Sequence, residues 1–128
     1  MNIVIIEDNE QNIRLYQAIL EHCDYTFKIF RSGEKALDWL KINASTPLKL
    51  ILLDISLPGI NGLEVLKIMR SQDHLKTVPV IAVTATSGKY DQHSFNEVLQ
   101  KPFFIETIYN LFHMYCDDTH CNTKENLA

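Results

Sequence analysis

The chain has 128 residues, of which 46% are hydrophobic and 22% are charged, and its formal net charge at pH 7 is -4. This length and composition predict one globular domain with no second module. A mildly acidic chain without a basic patch argues against direct binding to nucleic acid. No apolar run approaches the ~18 residues of a membrane span, and the first residues lack a basic stretch followed by a long apolar one, so we expect a cytoplasmic protein.

Strand-like and helix-like patterns alternate along the chain. Short apolar runs rich in β-branched residues predict buried strands, and apolar residues spaced three and four apart predict amphipathic helices. The predicted strands are 2–6, 25–30, 48–53, 79–83 and 98–100, and the predicted helices are 11–23, 32–43, 63–70 and 103–115. This alternation predicts an α/β domain, with a parallel sheet covered by helices on both faces.

Two segments have weaker patterns. Residues 86–97 contain only Tyr90 and Phe95 as large apolar side chains, so any fourth helix there is expected to be short or irregular. Residues 117–128 are polar and are expected to form a frayed C-terminal tail after a domain at residues 1–116.

Polar residues follow four of the predicted strands at the point where each strand ends. These are Glu7 with Asp8, then Asp54, Thr84 and Lys101. In a parallel sheet they collect at one edge, where three carboxylates would suit a hard divalent cation such as Mg²⁺. A cation, the lysine and the threonine hydroxyl could together stabilise a phosphoryl group in transfer, with Asp54 as the nucleophile.

Five motifs in this order resemble the receiver domain of bacterial response regulators, the CheY-like family, and most of all its stand-alone members. The motifs are Glu7-Asp8-Asn9, then Asp54, then Leu57-Pro58 with Gly62, then Thr84-Ala85, and finally Lys101-Pro102-Phe103. The resemblance implies a doubly wound, flavodoxin-like sheet of five parallel strands in the order 2-1-3-4-5. It also implies two-component phosphorelay signalling by a protein that catalyses only its own phosphorylation and dephosphorylation.

The resemblance also implies a role for each residue of the site. Asp54 would be the phosphoacceptor, Asp8 a direct Mg²⁺ ligand, Glu7 a ligand mainly through water, and the carbonyl of Ser56 a further ligand. Thr84 and Lys101 would contact the phosphoryl oxygens. The phosphoryl donor would be a phosphohistidine on a histidine kinase or a histidine phosphotransfer protein. The output would pass to a downstream protein, and the receiver would be a monomer or a weak dimer.

Two features depart from the family pattern. Val98 stands where the family usually has an aromatic residue three positions before the lysine, and Phe103, Tyr90 or Phe95 are candidates to replace that aromatic group. The segment between Thr84 and Lys101 is also shorter than usual. Both departures concern the output switch rather than the phosphorylation chemistry. Our hypothesis is that residues 86–97 become ordered on phosphorylation or on partner binding.

Other interpretations of the same residues remain open. Asp54 alone could be a turn-capping aspartate ahead of Pro58. The chain could also be a degenerate receiver that acts as a phosphorylation-independent adaptor. A third possibility is a phosphohydrolase with an aspartate nucleophile. Ser56 argues against it, because the familiar phosphatase pattern has a second acid at that position.

Overall fold

A computed structural model of the chain describes residues 2–85 and 95–116. Five strands form one sheet in the order β2-β1-β3-β4-β5, and every pair of neighbours is parallel. The predicted fold class and strand order are therefore confirmed. The strands are β1 (Ile3–Ile6), β2 (Phe27–Phe30), β3 (Leu50–Asp54), β4 (Val80–Thr84) and β5 (Glu97–Gln100).

Four α-helices cover the sheet in the described residues: α1 (Glu10–Leu20), α2 (Gly33–Ile42), α3 (Gly62–Arg70) and α4 (Ile105–Cys116). The side chains of Asn9, Ser32 and Asn61 cap the first three by accepting the backbone N–H of the third residue of each helix. The cap at Asn9 starts α1 one residue earlier than predicted, and a turn ends it three residues earlier. None of these helices is long and apolar enough to cross a membrane.

Two sequence predictions fall wholly or partly outside the described residues. Residues 86–94 belong to the segment expected to hold a short or irregular helix, and residues 117–128 are the expected tail. A short 3-10 turn, Asp73–Leu75, was not predicted, and it buries Leu75 in a stretch of sequence that otherwise looks polar.

The sheet separates two hydrophobic cores. Alternate side chains of β1 point to opposite faces: Ile3 and Ile5 pack with α1 and α4, and Val4 and Ile6 pack with α2 and α3. Each fully buried aliphatic side chain contributes about 2 kcal/mol through the hydrophobic effect. Because β1, β3 and β4 are buried along their whole length, the residues at their ends are held in fixed positions.

The amino-terminal edge of the sheet is closed by reciprocal hydrogen bonds. The N–H of Asn2 donates to the carbonyl of Thr26 at 3.0 Å, and the N–H of Thr26 donates to Asn2 Oδ1 at 3.0 Å. The N–H of Lys49 donates to the carbonyl of Asn2 at 2.8 Å. These bonds align the starts of β1, β2 and β3, so the strand ends on the opposite edge are also in register.

Candidate functional site

The carboxyl edge of the sheet brings three predicted acids together. Asp54 is the last residue of β3 and Glu7 is the first residue after β1, and the pairing of Ile6 with Leu53 makes the two acids neighbours. Glu7 is 1% exposed and Asp54 is 4% exposed, whereas Asp8 is exposed. One carboxylate oxygen from each of the three lies within 4.8 Å of the others.

Lys101 lies between the two buried acids. Its Nζ is 3.2 Å from Asp54 Oδ2 and 3.3 Å from Glu7 Oε1, and its side chain is 19% exposed. The lysine follows β5, where its N–H donates to the carbonyl of Thr84 at 2.7 Å, and the bond from Lys101 to Pro102 is cis. A single ammonium faces three carboxyl groups here, so ionisation of all three would leave the site with an excess of negative charge.

The carboxyl group of Glu7 has an unusual electrostatic environment. Burial is the largest cause that raises its pKa, followed by a hydrogen bond with Asp54 and the negative charge of Asp54. A hydrogen bond from the N–H of Asn9 and the charge of Lys101 act in the opposite direction, and the net result is a pKa of about 7. Glu7 therefore keeps its proton to a higher pH than an exposed glutamate does, and a bound cation would favour its release.

Two asparagines at the start of α1 orient the Glu7 carboxylate. The N–H of Asn9 donates to Oε2 at 3.1 Å, and Asn12 Nδ2 donates to Oε1 at 3.3 Å. Asn9 belongs to a motif that the sequence singles out, whereas the role of Asn12 was missed. The available signal was its position five residues after Glu7, in the first turn of the helix that follows.

Ser56 and Thr84 lie at the same edge. The N–H of Ser56 donates to Asp54 Oδ1 at 2.9 Å, so the backbone of the β3–α3 loop (residues 55–61) lies against the carboxylate. This is the capping bond that the alternative interpretation of Asp54 expects, and it coexists with the contact to Lys101. Thr84 ends β4, one residue beyond the partner of Asp54 in the sheet, and is 1% exposed.

The position of the missing aromatic residue is occupied by a half-buried Val98 that packs in the α2–α3 core. Of the three aromatic candidates for its role, Phe95 is buried in that same core, and Phe103 stacks on Tyr16 of α1 with ring centroids 5.8 Å apart. Tyr90 lies outside the described residues. Phe103 thus anchors the connection between β5 and α4 onto α1, beside the site.

The donor set of this edge fits a hard divalent cation. Glu7, Asp8 and Asp54 supply only oxygen atoms, which Mg²⁺ and Mn²⁺ prefer to nitrogen or sulfur. Two of the carboxylates are buried with a single ammonium as counter-charge, so a cation would remove the electrostatic penalty of ionising both. Asp8, being exposed, leaves the cluster open to solvent on one side.

A parallel sheet with this acidic edge is typical of one family, and comparison with known proteins agrees. The family model described as response regulator receiver domain matches residues 3–113. The chain therefore belongs to the response regulator receiver family, whose members act in two-component signalling.

The relatives include both sequences and solved structures. The chain is 38% identical over 116 residues to the polar-differentiation response regulator DivK of Brucella anthropi. That alignment covers 84% of this chain and 92% of DivK. The chain superposes with a TM-score of 0.79 on the phosphorylated cyanobacterial phytochrome response regulator RcpA, at 27% identity over 90% of this chain and 93% of that one. A third relative is the receiver domain of a sensor histidine kinase from Pseudomonas aeruginosa PAO1, whose structure holds a magnesium ion in the active site cleft. This chain superposes on it with a TM-score of 0.75, at 25% identity over 89% of this chain and 95% of that one.

Proposed function

We propose that this chain is a phosphorylatable receiver whose Asp54 accepts a phosphoryl group from a phosphohistidine, carried by a histidine kinase or a histidine phosphotransfer protein. The observation that carries the proposal is the cluster of three carboxylates within 4.8 Å, with the Lys101 ammonium 3.2 Å from Asp54. Acids packed this closely are costly in a purely structural role, but they suit a cation-assisted transfer of an anionic group.

The transfer requires an attack in line with the bond that breaks. An oxygen of the Asp54 carboxylate forms the new bond to phosphorus, the bond from phosphorus to the donor imidazole nitrogen breaks, and the imidazole leaves with a proton in place of the phosphoryl group. The residues suited to hold Mg²⁺ are Asp8, Asp54 and the carbonyl of Ser56, with Glu7 acting through water. When bound, the ion would offset the negative charge on the phosphoryl oxygens.

Two further side chains would act on the phosphoryl group itself. Lys101 Nζ now contacts two carboxylates. Once Asp54 carries the phosphoryl group as an acyl phosphate, the negative charge lies on the phosphoryl oxygens instead of the carboxyl oxygens, so the lysine would turn towards a phosphoryl oxygen. The hydroxyl of Thr84, at the end of β4, would donate a hydrogen bond to another phosphoryl oxygen. Movement of these two groups would report phosphorylation to the surface.

The relatives support this proposal in two respects. RcpA is a response regulator in phosphorylated form, and the receiver from Pseudomonas aeruginosa binds magnesium in its cleft. We expect the output of this chain to pass by protein contacts in the cytoplasm, from a monomer or a weak dimer. The protein would catalyse no reaction other than its own phosphorylation and dephosphorylation.

Mass spectrometry of the purified chain tests the proposal. With Mg²⁺ and a small phosphodonor such as acetyl phosphate, we expect the mass of one phosphoryl group to be added at Asp54. Chelation of the metal or the substitution Asp54→Asn should abolish the addition. Asp38→Asn, an equivalent change at an exposed acid of α2, should leave it unchanged.

Two results would contradict the proposal. One is a phosphoryl group that still appears in Asp54→Asn protein, and the other is a wild-type chain that stays unmodified with both acetyl phosphate and a phosphorylated histidine phosphotransfer domain. If Asp54→Asn protein also kept full function in cells, the phosphorylation-independent adaptor would be the better description.

A further inference from the structure

The β3–α3 loop contacts two consecutive residues at the start of α2, Gly33 and Glu34. Glu34, in the first turn of α2, accepts the backbone N–H of Ile60 with its Oε2 at 3.2 Å. Gly33 lies so close to this loop and to α3 that a Cβ atom there would be 2.9 Å from Ile60 Cγ2, in the loop, and 2.4 Å from Val65 Cγ2, in α3. Helix α2 therefore packs directly against the second half of the loop that follows the proposed phosphoacceptor.

The two ends of this loop are fixed by other hydrogen bonds. At its start, the N–H of Ser56 donates to Asp54 Oδ1 at 2.9 Å. At its end, the N–H of Gly62 donates to the carbonyl of Ile55 at 3.0 Å. Between these bonds the chain turns at Gly59, whose φ of 73° is a left-handed backbone conformation that residues with a Cβ atom rarely adopt. The Glu34 carboxylate contacts this turn as well, because a Cβ atom on Gly59 would lie 2.8 Å from Oε2.

We propose that Glu34 is a positioning residue for the metal and phosphoryl site, a role that rests on the proposed function. The position of the Ser56 carbonyl depends on the path of the loop backbone, and the bond from the Ile60 N–H to Glu34 holds the second half of that path. Groups that orient a metal ligand without touching the metal commonly change metal affinity by about tenfold when removed. A loop ordered in advance also loses less entropy when the cation binds.

The mechanism requires a hydrogen-bond acceptor rather than a charge at position 34. A glutamine retains an acceptor oxygen at nearly the same place, whereas an alanine offers none. Both substitutions remove the same negative charge, and both remove the same acid from the first turn of α2. The comparison between the two variants therefore separates the hydrogen bond from the electrostatic effect.

Calorimetric titration of the full chain with Mg²⁺, together with amide hydrogen exchange in the metal-free protein, tests the proposal. We expect Glu34→Ala to weaken Mg²⁺ binding about tenfold and to speed exchange of the Ile60 N–H. Glu34→Gln should stay within about twofold of wild type in affinity, with the Ile60 N–H still protected. Asp38→Ala, which removes an exposed carboxylate from the same helix away from the loop contact, should match wild type in both measurements.

The outcomes separate this proposal from the proposed function. If wild-type protein binds Mg²⁺ and Glu34→Ala binds it equally well, the positioning role is wrong and the site assignment stands. If Glu34→Gln is as weak as Glu34→Ala, the effect is one of charge, and the positioning role is again wrong. If wild-type protein does not bind Mg²⁺, the metal site at Asp54 is wrong, and the role of Glu34 falls with it.

Discussion

Replacement of Glu7 by glutamine should make the metal-free protein more stable at alkaline pH. The pKa of Glu7 is raised from 4.5 to about 7, so the folded protein binds this proton more tightly than the unfolded chain does. The stability that the proton supports is complete below pH 4.5 and is lost as the pH rises through 7. At about 1.4 kcal/mol for each pKa unit, ionisation of Glu7 costs the folded state about 3 kcal/mol at pH 8.

The glutamine variant avoids most of this cost. Its amide can donate a hydrogen bond to Asp54, as the protonated Glu7 does, but it has one acceptor oxygen where two are now used by Asn9 and Asn12. The lost acceptor costs about 1 kcal/mol. The expected net gain is therefore about 2 kcal/mol at pH 8, or roughly 8 °C in Tm for a chain of this length.

Urea and thermal unfolding with a chelator at pH 5 and pH 8 measure this gain, with Asp38→Asn as the control for a neutralised acid at an exposed position. The advantage of Glu7→Gln should appear at pH 8 and be absent at pH 5, where wild-type Glu7 is protonated. Saturating Mg²⁺ should reverse the order, because a ligand stabilises most the folded protein that binds it best. Equal stability of variant and wild type at pH 8, or the same difference at both pH values, would refute the reasoning.

Three further substitutions test other contacts by urea unfolding. Lys101→Ala removes the ammonium 3.2 Å from Asp54 and should lower the free energy of unfolding by about 3 kcal/mol at pH 8 without metal. The loss should be smaller with Mg²⁺, because the ion replaces the lost positive charge. A loss of stability that Mg²⁺ does not change would count against the cation site. Gly62→Ala places a Cβ 2.6 Å from Ile55 Cα, a backbone atom that cannot easily move, and should cost about 2 kcal/mol. The guanidinium of Arg70 donates to three backbone carbonyls at 2.7, 3.3 and 2.8 Å, those of Leu75, Lys76 and Val78. Arg70→Met removes this donor and should lower the free energy of unfolding by about 2 kcal/mol. An unchanged unfolding midpoint would mean that water replaces the donor.

The residues at the strand ends could be located from the sequence because their positions follow from a simple rule. Apolar runs stop at Glu7 and Asp54, parallel strands place their ends at one edge, and the structure brings the two acids together with Lys101. The buried strands β1, β3 and β4 were predicted to within one or two residues. The edge strand β2 was predicted two residues too long, because Tyr25 is buried by side-chain packing without pairing in the sheet.

Contacts between distant segments could not be predicted in this way. Glu34 and Ile60 are 26 residues apart, and no local pattern indicates that the start of α2 reaches that N–H. The burial of Glu7, greater than that of Asp8 beside it, depends on the direction of the chain after β1. Hydrogen bonds and burial of this kind depend on the packing of whole elements, which a single sequence does not specify.

The position of β1 in the interior of the sheet, between β2 and β3, has a practical consequence for handling the protein. Asn2 enters the sheet at the edge opposite the acids and is tied there to Thr26 and Lys49. An affinity tag or a fluorescent label fused ahead of Asn2 would therefore emerge on the far side of the domain, where it leaves the cleft open to partners. Trimming the chain past Ile3 would instead remove part of the strand that joins β2 to β3, and it should prevent folding altogether.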